Sequence, residues 1–586
     1  MSRLSRPHLP RPSLDNFRRK LAAVDALPQL CLLGLIAGLL TGSLMVGFRL
    51  LLSAGALGFM PDDSPENFEG LAPWVRASLP LLAVLVIGIV LGRQHPAQRK
   101  LGIGHVIERL TYHQGKMPLR AWLNQIVVGV VSVLGGLSAG REGPAIHLGA
   151  GASSWVGERL KLPNNSLRVL VACGTAAGIS ASFNTPIAGV IFAMEVVMME
   201  YTLTGFMPVI LASTAGAVVS QLVYGAEPAF AVPSLLLHSL LDLPWVVITA
   251  LVIGLLAGGF VHLARQQERA ARLTWSGRMA LVGLSTAAVA WWYPQVQGIG
   301  YDSLAQLLDG QLALDVLLAL VIGKLMLSAI CVACGVPIGI IGPVVVAGAA
   351  AGALMGMLGG WILPDQASDI ALYALLGMAA MMGAVLQAPL AALMALLELT
   401  HSPNIILPGM LAVVVAGLTC RQLCHCQGFF ISTLTAQGLH PLQQPLMQAL
   451  SRVAVPAVME RSVVSVPRRI TRERARALLE SKPVWLVVTR STPEKPMVAL
   501  PAADLVRVLM DEHWREQEAL DLLEIPAQRL DLAPIHLQAT LSEAYERLLP
   551  SNVDALYVEH TTAPMIRKIS GIITRDAIES YYRYKP

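Results

Sequence analysis

The chain has 586 residues, 54% of them hydrophobic and 14% charged, with a formal net charge of +5. A soluble domain carries about 25% charged residues, so this composition excludes an ordinary soluble chain. Its basic residues form short clusters and no continuous stripe, which excludes a nucleic-acid partner, and the 50 glycines suit helices that pack through small residues in lipid.

In chain order, residues 1–26 form a basic stretch (Arg3, Arg6, Arg11, Arg18, Arg19, Lys20) with no cleavable signal pattern. Within it, 13–25 reads either as an amphipathic helix on the inner membrane surface or as a solvated basic tail. Apolar runs follow at 27–53, 73–92, 121–139, 169–182, 186–199, 206–223, 244–264, 279–292, 312–334, 344–363, 370–400 and 404–419. Spanning a bilayer takes about 20 residues. Several runs reach that length; others are short or broken by Gly and Pro, which membrane depth tolerates only inside protein or beside a water-filled cavity. The pattern predicts an all-α polytopic membrane protein with broken helices over 27–440, of the kind that transports. Acidic 54–70 (Asp62, Asp63, Glu66, Glu69) lies between basic segments, among them Arg93, Arg99, Lys100, Arg109, Lys116 and Arg120. The positive-inside rule places the N-terminus and 93–120 in the cytoplasm and 54–70 outside.

The sequence repeats itself, over about 27–223 and 244–420. Gly102-Ile103-Gly104 recurs as Gly298-Ile299-Gly300, Gly143-Pro144 as Gly342-Pro343, and Gly174-Thr175-Ala176-Ala177 as Gly377-Met378-Ala379-Ala380. Each of the last pair leads to a proline, Pro186 and Pro389, and nine residues further to a glutamate, Glu195 and Glu398. The first Gly-Ile-Gly sits among basic residues; the second is followed by Asp302, Asp309 and Asp315 before any Lys or Arg. The halves are therefore inverted in the membrane, which predicts a transport site near the midplane at the ends of discontinuous helices.

After a linker at 441–456 the texture changes. Residues 457–586 are charged and only moderately apolar, and read as strand and helix units: Val484–Val488, Ala502–Met510, Ala555–Val558, Ser570–Ile573 and a helix from Arg575, with a helix-like stretch 516–523 between the halves. This is a soluble α/β domain, placed with both termini in the cytoplasm.

Gly140-Arg141-Glu142-Gly143-Pro144 carries the most chemistry. Ionisable residues between apolar runs at membrane depth are functional candidates. Pro144 suits a first helical turn, and the free N–H groups of a helix N-terminus bind anions. The plainer alternative is an Arg141–Glu142 pair across a short turn. Gly335-Val336-Pro337-Ile338-Gly339-Ile340-Ile341-Gly342-Pro343 offers a second helix start without charge. Two such ends facing inward would hold an anion by backbone amides. Cys331-x-x-Cys334 and Cys424-His425-Cys426 read as buried or incidental thiols, with no metal site, because no second ligand pair follows at zinc spacing. His105 and His147 read as local hydrogen-bonding partners near the motifs. Nothing marks an enzyme: no P-loop, no exposed carboxylate pair, no nucleophile with a base.

GREGP at 140–144, the Gly/Pro element at 335–343, Gly323-Lys324 and the doubled halves resemble the CLC family of chloride channels and transporters, over nearly the whole chain. The resemblance implies a homodimer, one anion pathway per subunit, and Glu142 as gating glutamate and proton carrier; chain size and short loops point to a bacterial inner membrane. It places the anion among Gly102, Ile103, Gly104, Arg141, Gly143, Ile340 and Ile341, with Met447 at the position of a tyrosine on the final membrane helix. There are departures. Ile103 replaces the serine of GSGIP, so contact there falls to backbone amides; Ile338 and Ile341 replace a glycine and the phenylalanine of GxxGGxFxP. Val196 stands where exchangers carry an inner proton-relay glutamate, with Glu195 one residue before it; Glu195 reads either as that relay or as a packing mate of Glu398. The C-terminal region resembles a pair of CBS motifs, about 457–510 and 529–586, in which Thr574 and Asp576 match a ribose-holding pattern for an adenine nucleotide; Thr574 as an ordinary N-cap is the alternative. The first motif has Asp504, but Pro501 replaces its Ser or Thr. Function reduces to chloride transport, as a channel or a chloride/proton exchanger. The alternatives are transport of another small anion, such as fluoride or nitrate, or a CBS-bearing membrane sensor.

Overall fold

The structure, a computed structural model, describes residues 21, 26–226, 239–362, 368–439, 445–489, 496–511, 514, 517–549, 553–563 and 566–583. The amphipathic expectation at 13–25 lies outside the described residues except for Leu21. The chain divides into two compact units: Leu30–Arg159 with Leu167–Leu442, and Met1–Gln29 with Leu160–Ser166 and Gln443–Pro586.

The first unit is helical. Its first half contains α1 (Leu27–Ala56), α2 (Pro73–Gly92), α3 (Gly102–Tyr112), α4 (Leu119–Leu134), α5 (Glu142–Arg159), α6 (Asn164–Phe183), α7 (Pro186–Phe192, extended by a π-helical turn Ala193–Met198) and α8 (Leu203–Tyr224). Its second half contains α9 (Leu243–Ala264), α10 (Trp275–Trp292), α11 (Tyr301–Leu308), α12 (Leu314–Ala333), α13 (Ile341–Ile362), α14 (Ile370–Leu386), α15 (Pro389–Thr400) and α16 (Ile406–Leu418); α17 (Phe429–Ala436) follows. Each helix of the first half matches the one eight places later. Among the described residues, eight helices are long and apolar enough to cross a membrane.

The breaks between helices have local causes. The apolar run 370–400 splits because Gln387 turns left-handed (φ +55°) ahead of Pro389, and Asn184 (φ +58°) does the same ahead of Pro186. Proline lacks the N–H to continue a helix but fits its first turn. On α14 every residue from Ala371 to Leu386 is buried, as expected of a helix that is apolar all round and sits inside the bundle. Glycine pairs let these inner helices touch. A Cβ on Gly174 of α6 would run into the carbonyl of Gly149 on α5, and Gly377 of α14 faces the carbonyl of Gly348 on α13 in the same way.

The repeat mates also lock each other. Glu195 accepts hydrogen bonds from the amides of Leu390 (3.3 Å) and Ala391 (2.8 Å) at the start of α15. Glu398 accepts from Ile187 (2.8 Å) and Ala188 (2.7 Å) at the start of α7. Each glutamate satisfies the free N–H groups of the other half's helix. A reciprocal contact of this kind is what a two-fold relation between the halves produces.

The second unit is α/β. Six strands lie in the order β1-β3-β4-β6-β7-β8, with β1 (Val463–Pro467), β3 (Trp485–Thr489), β4 (Pro496–Pro501), β6 (Leu530–His536), β7 (Ala555–Ala563) and β8 (Ile566–Thr574). β2 (Arg469–Thr471) pairs with β5 (Ala519–Asp521) as a separate ribbon. The parallel pairs β1–β3 and β6–β7 are each joined through a helix and each followed by an antiparallel strand, so the sheet is one βαββ pattern written twice. Its helices are α18 (Pro445–Ser451), α19 (Arg472–Glu480), α20 (Ala502–Met510), α21 (Leu541–Leu548) and α22 (Arg575–Arg583). Asn164 belongs to this unit: its side-chain amide donates to the Glu543 carboxylate at 3.0 and 3.2 Å, and its backbone N–H to Gln538.

Two expectations are corrected here. The helix-like stretch 516–523 contains the strand β5, held because Arg468 grips both Asp521 oxygens at 2.9 Å and Ile470 pairs with Leu520. That arginine holds the Asp521 carboxyl below its usual range. The linker 441–456 is largely folded: residues 441–444 lie outside the described residues, but α18 packs Leu450, with Val453 and Val455 beyond it, into the core formed by Leu541 and Leu548.

The glycine crossing gives a test. Gly174→Val forces α5 and α6 apart and should cost about 1–3 kcal/mol, lowering the melting temperature of the detergent-purified protein. Gly47→Val, whose added Cβ meets nothing within 4 Å, should leave it unchanged.

Candidate functional site

The helices α5 and α13 begin at one place. The loops before them are stitched by an antiparallel bridge in which the Gly140 N–H donates to the Gly339 carbonyl at 2.7 Å. Gly143 lies directly on Gly339, where an added Cβ would stand 3.0 Å from its Cα. Pro144 and Pro343 occupy the two first turns. The free N–H groups and positive dipole ends of two repeat-mate helices thus converge.

Glu142 fills the junction. Its side chain is fully buried, and Oε1 accepts a hydrogen bond from the Tyr301 hydroxyl at 2.9 Å. The backbone N–H groups of Glu142 and Gly342 face the carboxylate, while Oε2 has no partner among the described residues. The glycines are shaped to it: a Cβ on Gly140 would collide with the carboxylate, and one on Gly342 would sit 3.1 Å from Oε1. Among the described residues no ion pair joins Arg141 to Glu142. The guanidinium instead lies 5.4 Å from the ring centre of Phe183 and 5.3 Å from that of Tyr301, a cation–π position.

Tyr301 is held from behind. It opens α11, and its N–H donates to Glu66 at 3.2 Å. Fully buried Lys324 of α12 donates to the four carbonyls of Val296, Gln297, Gly298 and Ile299 at 3.2–3.3 Å. That turn needs left-handed glycine at 298 (φ +56°) and 300 (φ +88°), and a Cβ on Gly300 would touch the lysine at 2.7 Å. The second Gly-Ile-Gly is therefore a turn wrapped on an ammonium group that aims Tyr301. Nearby in the 57–72 loop, burial and then the neighbouring Asp302 push the Glu69 carboxyl up to about 7.

The first Gly-Ile-Gly does different work. It opens α3 on the wall of a cavity of about 450 Å³ that Ile338 and Ile340 also line, with Arg99, Lys100 and Arg278 supplying positive charge. The Gly102 N–H is taken by Gln125 Oε1 at 2.7 Å, which leaves the next first-turn amides, Ile103 and Gly104, for the cavity. The Ile103 side chain is buried, so it is backbone that this residue offers there. Phe429 and Phe430 of α17 close the same wall.

Gly102, Ile103, Gly104 and Ile340 thus share the cavity, while Arg141, Glu142, Gly143 and Ile341 meet at the helix junction. Met447 is a correction: it lies in α18, packed on the apolar cluster of the α/β unit with Ser542 nearby, and not on a membrane helix. Glu195 is held by the start of α15, whose amides donate to both its oxygens, in the packing arrangement it shares with Glu398. Cys331 and Cys334 are buried thiols in an apolar cluster. In the α/β unit, Thr574 caps α22 by accepting from Ala577 N–H at 3.2 Å, and Asp576 is exposed beside it. Asp504 is occupied by Gln528 N–H and Arg507. Sequence reasoning missed Tyr301, whose signal was its place directly after the second Gly-Ile-Gly, and Gln125, which has none.

Comparison with known proteins agrees with this geometry. The ClcB-like chloride channel protein of Ralstonia nicotianae is 30% identical over 357 residues, covering 59% of this chain and 82% of that protein. The H(+)/Cl(-) exchange transporter ClcA of Vibrio cholerae is 27% identical over 335 residues, 53% of this chain and 70% of that one. Among solved structures, a slow cyanobacterial Cl-/H+ antiporter superposes with a TM-score of 0.62 at 21% identity, over 70% of this chain and 97% of its own. A eukaryotic CLC transporter does so with a TM-score of 0.57 at 18% identity over 94% and 97%, so that fold extends across the α/β unit as well. The family model for the voltage gated chloride channel matches residues 79–421. That is more than half of the chain, and the chain belongs to the voltage gated chloride channel family.

Proposed function

We propose that this chain moves chloride across a cell membrane in exchange for protons, with Glu142 as the gate and the proton carrier. One observation carries the reading: a fully buried carboxylate seated where two helix N-termini converge. An anion site built from amides and dipoles binds whichever anion reaches it. The Glu142 carboxylate is itself such an anion, and when charged it competes with chloride for the same amides. A proton on Glu142 removes its charge, and the amides then favour chloride. Chloride arriving at the junction in turn displaces a side chain that carries a proton. Exchange follows from that competition. The Tyr301 hydroxyl donates to the seated carboxylate and so favours the closed form. The names of the Ralstonia and Vibrio relatives supply the ion.

The setting is read as a homodimer in a bacterial inner membrane; the charge pattern bears on orientation alone and puts the basic N-terminus, with the α/β unit, in the cytoplasm. The α/β unit is read as a CBS pair that takes an adenine nucleotide at its second half. There Thr574 opens α22, and exposed Asp576 is free to accept from ribose hydroxyls. The first half offers no equivalent, because Asp504 is engaged by backbone.

In reconstituted liposomes, wild type should release chloride and take up protons. Glu142→Ala should keep chloride flux and reduce proton flux by at least tenfold. Chloride without protons in wild type indicates a channel, flux of fluoride or nitrate in preference to chloride another anion transporter, and a membrane unit indifferent to the substitution a sensor.

Tyr301→Phe removes one hydrogen bond to a charged group, about 1.5–3 kcal/mol. The carboxylate then competes less well, so apparent chloride affinity, measured by calorimetric titration, should rise about tenfold or more. No change would show that the phenol does not hold the gate.

Titration of the purified full-length protein with ATP or AMP should give saturable binding that Asp576→Ala weakens at least tenfold. Absence of binding to wild type would remove the nucleotide site.

A further inference from the structure

We infer that His105 and His147 form a two-imidazole proton relay leading from the inner cavity into the core beside the gate helix. The inference rests on the exchange reading and names the inner route of its protons. His105 is the fourth residue of α3 and lines the cavity. His147 stands on α5, five residues after Glu142, about 7.5 Å along the helix axis. Their ring nitrogens, Nδ1 of His105 and Nε2 of His147, are 2.9 Å apart, so one N–H is shared between them. The rings are 5.2 Å apart between centres and tilted by 23°.

The pair has one outer end and one inner end. His105 reaches the cavity. His147 is fully buried, and its Nδ1 has no partner among the described residues. A buried ring nitrogen without a partner is costly to fold around, and a static packing pair has no need of it. A relay does, because the proton must leave from that atom. Among the described residues, Lys100, Arg109 and His113 are the charged or titratable groups that act on His105, with Glu108 on the same cavity wall, and His105 is the one that acts on His147. The two cations have their own partners, Glu108 for Lys100 and the Lys116 carbonyl for Arg109.

The transfer balances. At rest His105 carries its proton on Nδ1 and donates it to Nε2 of His147, which carries its own on Nδ1. A proton from cavity water binds Nε2 of His105. The Nδ1 proton crosses to Nε2 of His147, and His147 releases its Nδ1 proton to water on the way to Glu142. One proton has entered, one has left, and both rings are neutral again with their tautomers exchanged. A proton travelling the other way, or rotation of the rings, restores the first state. Glu195 instead serves the start of α15, whose amides donate to both its oxygens.

The test is simultaneous recording of chloride and proton flux from liposomes holding wild type, His105→Gln or His147→Gln. Glutamine keeps a hydrogen bond but cannot pass a proton from one end to the other. Each variant should lose at least tenfold in proton flux while chloride flux stays within twofold. Proton flux that stays in step with chloride in both variants overturns the inference. So does joint loss of both fluxes in protein that elutes as wild type does on size exclusion, which would mark a packing pair. Should His147→Gln fail to fold, His105→Gln at the cavity edge decides alone. If wild type carries chloride without protons, the exchange reading falls before any substitution is made, and this inference falls with it.

Discussion

Placing a negative charge inside apolar protein is the constraint that organises this molecule. A buried charge must be met by pairing or hydrogen bonding, yet a transported anion cannot be met by a fixed cation without being trapped. Free amides at helix starts meet it with partial charges that are already in place. That requires helices that begin in mid-bundle, and hence the breaks before Pro144, Pro186, Pro343 and Pro389. The bridge between Gly140 and Gly339 fixes how far apart the two starts of α5 and α13 stand. The glycines at 140, 143 and 342 are the residues small enough to let them stand that close.

Broken helices leave other free amides, and the structure disposes of them by symmetry. Glu195 and Glu398 each cap the opposite half's helix, so the starts of α7 and α15 are satisfied and offer nothing to an anion. The starts at the candidate site are placed differently: α3 opens on the cavity, and α5 meets α13 at the junction. Gly102 shows the same sorting within a single turn, since Gln125 occupies its N–H and leaves those of Ile103 and Gly104.

Much of this was legible in the residues. GREGP announces a charged group at a helix start, the doubled markers announce the two-fold relation, and the strand and helix units of 457–586 are carried by short apolar runs such as Trp485–Thr489. What escaped depends on contacts distant in sequence. Tyr301 meets Glu142 across 159 positions, and no local pattern encodes a partner so far away. The His105–His147 bond joins two helices in the same manner. Met447 is assigned to a membrane helix by the resemblance alone, whereas α18 spends its apolar face on the α/β core. The stretch 516–523 has helix-forming residues, but Arg468 and the β2 ribbon override that weak preference at Asp521.

The two halves started from one pattern and now differ where direction matters. The first Gly-Ile-Gly keeps its helix start open toward a cavity edged with arginine and lysine. The second is closed on Lys324, whose ammonium group lies against four carbonyls and turns the following residue, Tyr301, onto Glu142. The GREGP half carries the glutamate, and the other half meets it with an uncharged helix start. A fully symmetric pair of halves would place either two carboxylates or none at the junction. Two would repel each other, and with none the site would have no proton-sensitive competitor for the anion. One carboxylate among shared amides, with a phenol from the other half to hold it, is the arrangement on which the proposed exchange rests.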